Sequence, residues 1–290
     1  MHMKRLPVFL CLCALLFTAC AAENHAQVAA TNLPVYEFTT ILCENTDITV
    51  TRLITENVSC LHDYTLKVDQ MQAIEGAQLL LINGAGLEDF MESALEKANS
   101  VGDASEGLAL LHGQEHDHDH GDHVHEDDPH IWLSPNNAKH MAENLCSSLC
   151  AAFPQWEATF RANLTGLLSR LDDLQSYGEE ALSNLRCREL ITFHDGFTYL
   201  AESFDLTILH AIEEESGAEA SAAELIELIG EVRSHELPAI FTESNGSVSA
   251  ANIIAAETGV KIYALDMGIS GTSYFDAMYR NINTLKEALQ

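Results

Sequence analysis

The sequence predicts an α/β protein of two lobes, each a parallel β-sheet flanked by helices, joined by one long spine helix. Short apolar runs such as AQLLLI at Ala77–Ile82 and KIYAL at Lys261–Leu265 alternate with stretches of helical periodicity. Strand–helix–strand alternation implies parallel pairing with helical crossovers. A helical pattern from Pro154 to about Leu185 splits this alternation into two halves, and it is far longer than the usual globular helix. At 290 residues with 47% hydrophobic content, the chain can bury a core in each half.

In chain order, Val35 to Leu42 (VYEFTTIL) is rich in β-formers and opens the series as a strand. A polar stretch leads into ITVTRLI, and Val58 to His62 reads as a second short strand or its end. A helix is expected over Val68 to Glu75, before the buried strand Ala77 to Ile82, which Asn83-Gly84-Ala85-Gly86 stops. Glu88 to Asn99 reads as the next helix. Ser134-Pro135-Asn136-Asn137 opens the helix Ala138 to Phe153, and Pro154 opens the spine, with Leu164, Leu167, Leu168, Leu171 and Leu174 at helical spacing. The second half repeats the plan. Strands are expected at Glu189–Thr192, Ala239–Thr242 and Lys261–Leu265, and helices at Gly196–Phe204, Ala222–Ser234, Ser249–Thr258 and Tyr274–Leu289.

The N-terminus addresses the chain. MHMKR precedes fourteen mostly apolar residues, Leu6 to Ala19, too short a run for a membrane span and read as a secretory signal peptide. Phe17-Thr18-Ala19-Cys20 resembles a bacterial lipobox, with Phe17 where Leu is usual, and this implies a lipid on Cys20 as the mature N-terminus. The expected organisation is a signal peptide over 1–19, a lipid-attached tether over 20–33, a first lobe over 34–153, a linking helix over 154–186 and a second lobe over 187–290.

Lys plus Arg number 14 against 44 Asp plus Glu, a formal charge of −30. That deficit of cations argues against nucleic acid as a partner and against a basic grip on an anionic membrane. Export permits disulfides. Five cysteines lie beyond Cys20, namely Cys43, Cys60, Cys146, Cys150 and Cys187, without zinc-finger spacing. Cys43 with Cys60 is the first pair to test, since Cys146 and Cys150 on one helix have poor bridging geometry.

Ligands of open α/β sheets bind beyond the carboxyl ends of strands. His62 follows VSCL, His130 lies in DPHIW, His194 follows LITF, and Asp266 follows KIYAL. Two come from each half, as a site in the cleft between lobes requires, and three imidazoles with one carboxylate suit a tetrahedral Zn²⁺. Other late first-row metals also accept imidazole. Taken singly, a histidine near a strand end is more often a satisfied polar or surface residue, and an aspartate after a strand is commoner still as a turn or N-cap residue.

The neighbourhoods of these residues narrow the choice. Cys60-Leu61-His62-Asp63-Tyr64, leading to the strand and Asn83-Gly84-Ala85-Gly86-Leu87-Glu88, resembles the zinc and manganese solute-binding proteins of ABC importers, the ZnuA type. Asp128-Pro129-His130-Ile131-Trp132-Leu133-Ser134-Pro135 matches that family's second histidine motif, and His194-Asp195-Gly196-Phe197-Thr198-Tyr199-Leu200 resembles its third. The resemblance implies His62, His130, His194 and Asp266 as metal ligands, with zinc favoured because the third position is histidine rather than glutamate. Cys60-Leu61 replaces the usual acidic residue and proline, and Met267 stands where proline is common. Glu243 and Cys60 are reserve ligands.

Between the first two motifs, His112, His116, His118, His120, His123 and His125 alternate with acids across 112–128. Such a polar stretch cannot build a core. It is expected to be an accessory, low-affinity zinc-collecting loop. The expected function is a monomeric, lipid-anchored receptor that captures Zn²⁺ outside the cytoplasm and delivers it to the membrane subunit of an ABC permease. Imidazole coordinates only when neutral, so affinity is expected to fall in acid. A manganese receptor of the same type and a zinc-storing surface adhesin are the alternatives. A zinc hydrolase would need an open coordination position, and no HExxH, nucleophile elbow or P-loop is present.

Overall fold

A computed structural model of the chain describes residues 27–56, 61, 64–112, 127–211 and 220–290. The first lobe holds strands β1 (Val28–Ala30), β2 (Val50–Arg52), β3 (Leu79–Ile82) and β4 (Val101–Asp103), and the second holds β5 (Glu189–Thr192), β6 (Thr207–Ala211), β7 (Ala239–Glu243) and β8 (Lys261–Leu265). Both sheets are parallel throughout, in the orders β2-β1-β3-β4 and β6-β5-β7-β8. The two lobes thus share one topology. Every residue of β1, β3 and β7 is buried, as expected for parallel strands covered on both faces. In each sheet the chain moves outward in one direction and then in the other. The switch points fall between β1 and β3, and between β5 and β7.

The helices are α1 (Leu33–Leu42), α2 (Val68–Gly76), α3 (Glu92–Leu95), α4 (Pro135–Ala152), α5 (Glu157–Ala181), α6 (Thr198–Ser203), α7 (Ala222–Ser234), α8 (Ser249–Thr258) and α9 (Tyr274–Leu289). Helix α1 overturns the strand expected at Val35–Leu42. The Asn32 side chain caps it by accepting from Val35 N–H at 3.0 Å, Pro34 sits in its first turn, and Val35, Phe38, Thr39 and Leu42 fall on one buried face. The cap and the helical spacing outweigh the β-propensity of these residues. Residues 28–33, expected within the tether, instead form β1 and the start of α1. Three residues, as in β1 (VAA) and β4 (VGD), are too few to show a period.

The helix expected at Glu88–Asn99 is a 3₁₀ turn at Asp89–Met91 followed by the short α3. Asn99 Nδ2 donates to Ala77 O at 2.8 Å, which turns the chain into β4. The strand expected at Val58–His62 lies outside the described residues except for Leu61, which is fully buried. Cys43 is a free, buried thiol rather than half of a bridge; Cys146 is also free and buried, and Cys150 and Cys187 are free and partly buried. Burial pushes the Cys43 and Cys146 thiols up to about 12.

Helix α5 has 25 residues and is roughly 37 Å long. It packs on α1 and α4 of the first lobe and on α9 of the second, so it is a spine for both. Its end is set by Arg188, whose guanidinium donates to Leu182 O at 3.0 Å. At Gly178 a Cβ would lie 2.2 Å from the Phe204 ring. Gly178→Ala is therefore expected to cost about 1–3 kcal/mol through overpacking. Gly166, exposed on the same helix with open space around it, should instead gain about 0.5–1 kcal/mol as Ala. Thermal midpoints of the two variants, moving in opposite directions, check this.

One hydrophobic core runs through both lobes. Across the seam, Trp132 Nε1 donates to Met267 O at 2.7 Å and Tyr274 Oη donates to Trp132 O at 2.8 Å. Glu37 of α1 accepts from Ser273 Oγ and from Tyr274 N–H, at the start of α9. Arg52 adds a bond to Gly271 O at 2.8 Å. The lobes are clasped on this side of the cleft.

Candidate metal centre

The first switch point is organised by a buried carboxyl. Glu88, 2% exposed, accepts from Thr31 Oγ1 at 2.7 Å, just after β1. It also accepts from Asn83 N–H at 2.8 Å and Gly84 N–H at 3.0 Å, just after β3. Gly84 has φ +80°, and a Cβ there would collide with Asp103, so glycine is required. Asn83 Nδ2 then reaches across to Pro129 O at 3.0 Å. Glu88 in this way ties two strand ends to the segment that carries His130. Burial raises its carboxyl to about 7, against the lowering effect of its three donors.

His130 opens a 3₁₀ turn at Ile131–Leu133 that leads into α4. Asp128 Oδ1 accepts both its backbone N–H, at 2.9 Å, and its ring Nδ1, at 2.7 Å. A carboxylate oxygen accepts, so Nδ1 carries the hydrogen and Nε2 presents its lone pair. Asp128 is itself held in place through its carbonyl, which accepts from Tyr199 Oη of α6 at 3.1 Å.

His194 sits two residues beyond β5, at the second switch point, with Gly196 curled over its ring. A Cβ at Gly196 would lie 2.6 Å from His194 Cδ2. The His194 and His130 rings meet edge to face, with centroids 5.2 Å apart and Nε2 to Nε2 at 3.4 Å. Both are buried. Glu243, the last residue of β7 and also buried, places Oε2 4.0 Å from His194 Nδ1. Each histidine therefore has a carboxylate behind Nδ1 and turns Nε2 toward the other.

Of the residues expected to bind metal, the structure brings His130 and His194 together, with Glu243 beside them. Asp266 stands directly after β8, next to the end of β7, and its carboxylate is taken up by Arg280 and by Gly268 N–H. Among the described residues, no three His, Cys, Asp or Glu side chains gather closely enough to hold an ion. His62, Cys60, His116, His118, His120, His123, His125 and Cys20 lie outside the described residues. His112 pairs with Asp127 at 3.0 Å, and the two residues form an isolated antiparallel bridge. Asp128, expected within the loop over 112–128, is bonded to His130. Sequence reasoning assigned no role to Asp128, Glu88 or Arg280. Asp128, two residues before His130 with a proline between, was the readable signal.

The sequence pattern of the family described as zinc-uptake complex component A, periplasmic (ZnuA), matches residues 28–288. The chain belongs to the ZnuA family. The zinc-binding lipoprotein AdcA of Streptococcus pneumoniae is 31% identical over 307 aligned positions, covering 98% of this chain and 61% of that one. The zinc-binding protein AdcA of Streptococcus pyogenes serotype M3 is 28% identical over 291 positions, 91% of this chain and 56% of that one. The chain thus spans about three fifths of the length of these two relatives. Among solved structures, a ZnuA crystal structure superposes with a TM-score of 0.81 at 27% identity, covering 91% of this chain and all of that one. The Zn(II)-bound ZnuA-like domain of Streptococcus pneumoniae AdcA gives 0.76 at 28% identity, over 91% of this chain and 98% of that domain. Two parallel four-stranded sheets on a long helix are the shared ZnuA-family architecture.

Proposed function

We propose that the chain is an extracytoplasmic zinc receptor that binds one Zn²⁺ in the cleft, hands it to an ABC-type permease, and catalyses no reaction. One observation carries the reading. Two nitrogens on one tetrahedral Zn²⁺ at about 2.0–2.1 Å lie about 3.3–3.4 Å apart, and the His130 and His194 Nε2 atoms are 3.4 Å apart. Buried imidazoles whose Nε2 atoms face one another at this spacing suit a shared cation. His62 and Asp266 complete the shell, with Glu243 in reserve. Four protein ligands leave no open position for a reactive water, which is why capture rather than hydrolysis is assigned. The AdcA relatives are zinc-binding proteins by name, in keeping with zinc as cargo. A lipid on Cys20 anchors the receptor beside its permease, and the histidine loop collects zinc weakly.

The test is a competition titration with a chromophoric zinc chelator, on a chain lacking residues 113–126 but keeping Asp127 and Asp128. One tightly held Zn²⁺ per chain is expected, with the weaker equivalents of the full chain gone. A deleted chain without tight zinc would move the function into the loop and overturn the cleft assignment.

A further inference from the structure

Asp266 is held by the chain itself. Oδ1 accepts from Gly268 N–H at 2.8 Å and Oδ2 from Arg280 Nη2 at 2.7 Å. Its backbone is gripped by the neighbouring Asn281, whose Oδ1 accepts from Asp266 N–H at 2.8 Å and whose Nδ2 donates to Asp266 O at 2.7 Å. Helix α9 thus presents two adjacent residues with different tasks. Asn281 is 1% exposed and fixes where the backbone lies. Arg280 reaches the carboxylate from the solvent side, with 61% of its side chain exposed against 25% for Asp266.

We propose that Arg280 is a competing counter-ion for Asp266, so that loading and release exchange a guanidinium for Zn²⁺ at this one carboxylate. The proposal rests on the zinc-receptor reading and concerns how that site is tuned. An ion-paired carboxylate is a poorer metal ligand, because its charge is already balanced and both oxygens already accept hydrogen bonds. Arg280 pays little to leave, since its head is exposed and water replaces the lost bonds. The anchored Asn281 keeps Asp266 in place while its carboxylate changes partner. Arg280 is therefore a positioning residue that lowers affinity and speeds release, which suits a carrier that must give up its cargo.

The test uses the full chain with residues 113–126 removed, measuring zinc affinity by chelator competition and dissociation by stopped flow. Arg280→Gln should raise affinity and slow dissociation by about three- to tenfold. Arg280→Lys, which keeps a cation there, should stay within about twofold of the parent. In an Asp266→Asn background, Arg280→Gln should change neither quantity. Weaker or unchanged binding in Arg280→Gln overturns the proposal. So does a gain that persists in the Asp266→Asn background, since that is the protein's field acting directly on the ion. A parent chain with no tight zinc overturns the receptor reading itself.

Discussion

His194→Ala is expected to lower zinc affinity by more than about a hundredfold while leaving the fold intact. The imidazole supplies one of the two facing Nε2 atoms, and its loss leaves His130 with no partner nitrogen at 3.4 Å. The ring packs against His130 and Phe197, so its removal leaves a small cavity at the cleft rather than in the main core. Asp128→Asn should give a smaller loss, about ten- to a hundredfold. The Asn oxygen can still accept from Nδ1 of His130, but the negative charge that makes the imidazole a better donor to metal is gone. Competition titration ranks the two variants, and circular dichroism checks that both are folded. A deficit from Asp128→Asn equal to that from His194→Ala would show that Asp128 binds the ion directly.

The largest stability effect is expected at Glu88. Glu88→Ala strands the buried N–H groups of Asn83 and Gly84 and the hydroxyl of Thr31, a cost of at least about 3 kcal/mol. It also loosens Asn83, and with it the tie to Pro129 beside His130. The same residue has a pH signature. Burial raises its carboxyl from 4.5 to about 7, so between those values the folded chain holds a proton that the unfolded chain has lost. The contribution is fully present below pH 4.5 and is lost as pH rises through 7, a swing of about 3 kcal/mol. Glu88→Gln keeps the shape without the titration. The stability of the parent relative to this variant, from urea unfolding, should fall by about 3 kcal/mol between pH 4.5 and pH 8. A gap independent of pH would mean that Glu88 stays ionised in the folded protein.

Much of this protein was determined by local pattern. Runs such as LLLI and KIYAL are apolar enough to declare strands, the first buried throughout and the second at the edge of its sheet. The spacing of Leu167, Leu171 and Leu174 declared the spine, and the strand-end rule placed His194 and Asp266 at the mouths of β5 and β8. Those features depend only on neighbours along the chain. The tertiary structure decided the rest. Whether VYEFTTIL is strand or helix turned on Asn32 as a cap and on which face met the core, and the three-residue β1 acquires its state only from β2 and β3 on either side. The site is the extreme case. His130 and His194 lie 64 positions apart in sequence, Thr31 and Glu88 are 57 apart, and Asp266 meets Arg280 only where α9 folds back past β8. A metal centre is a set of distances between side chains on different elements, and those distances exist only after the crossovers have been made.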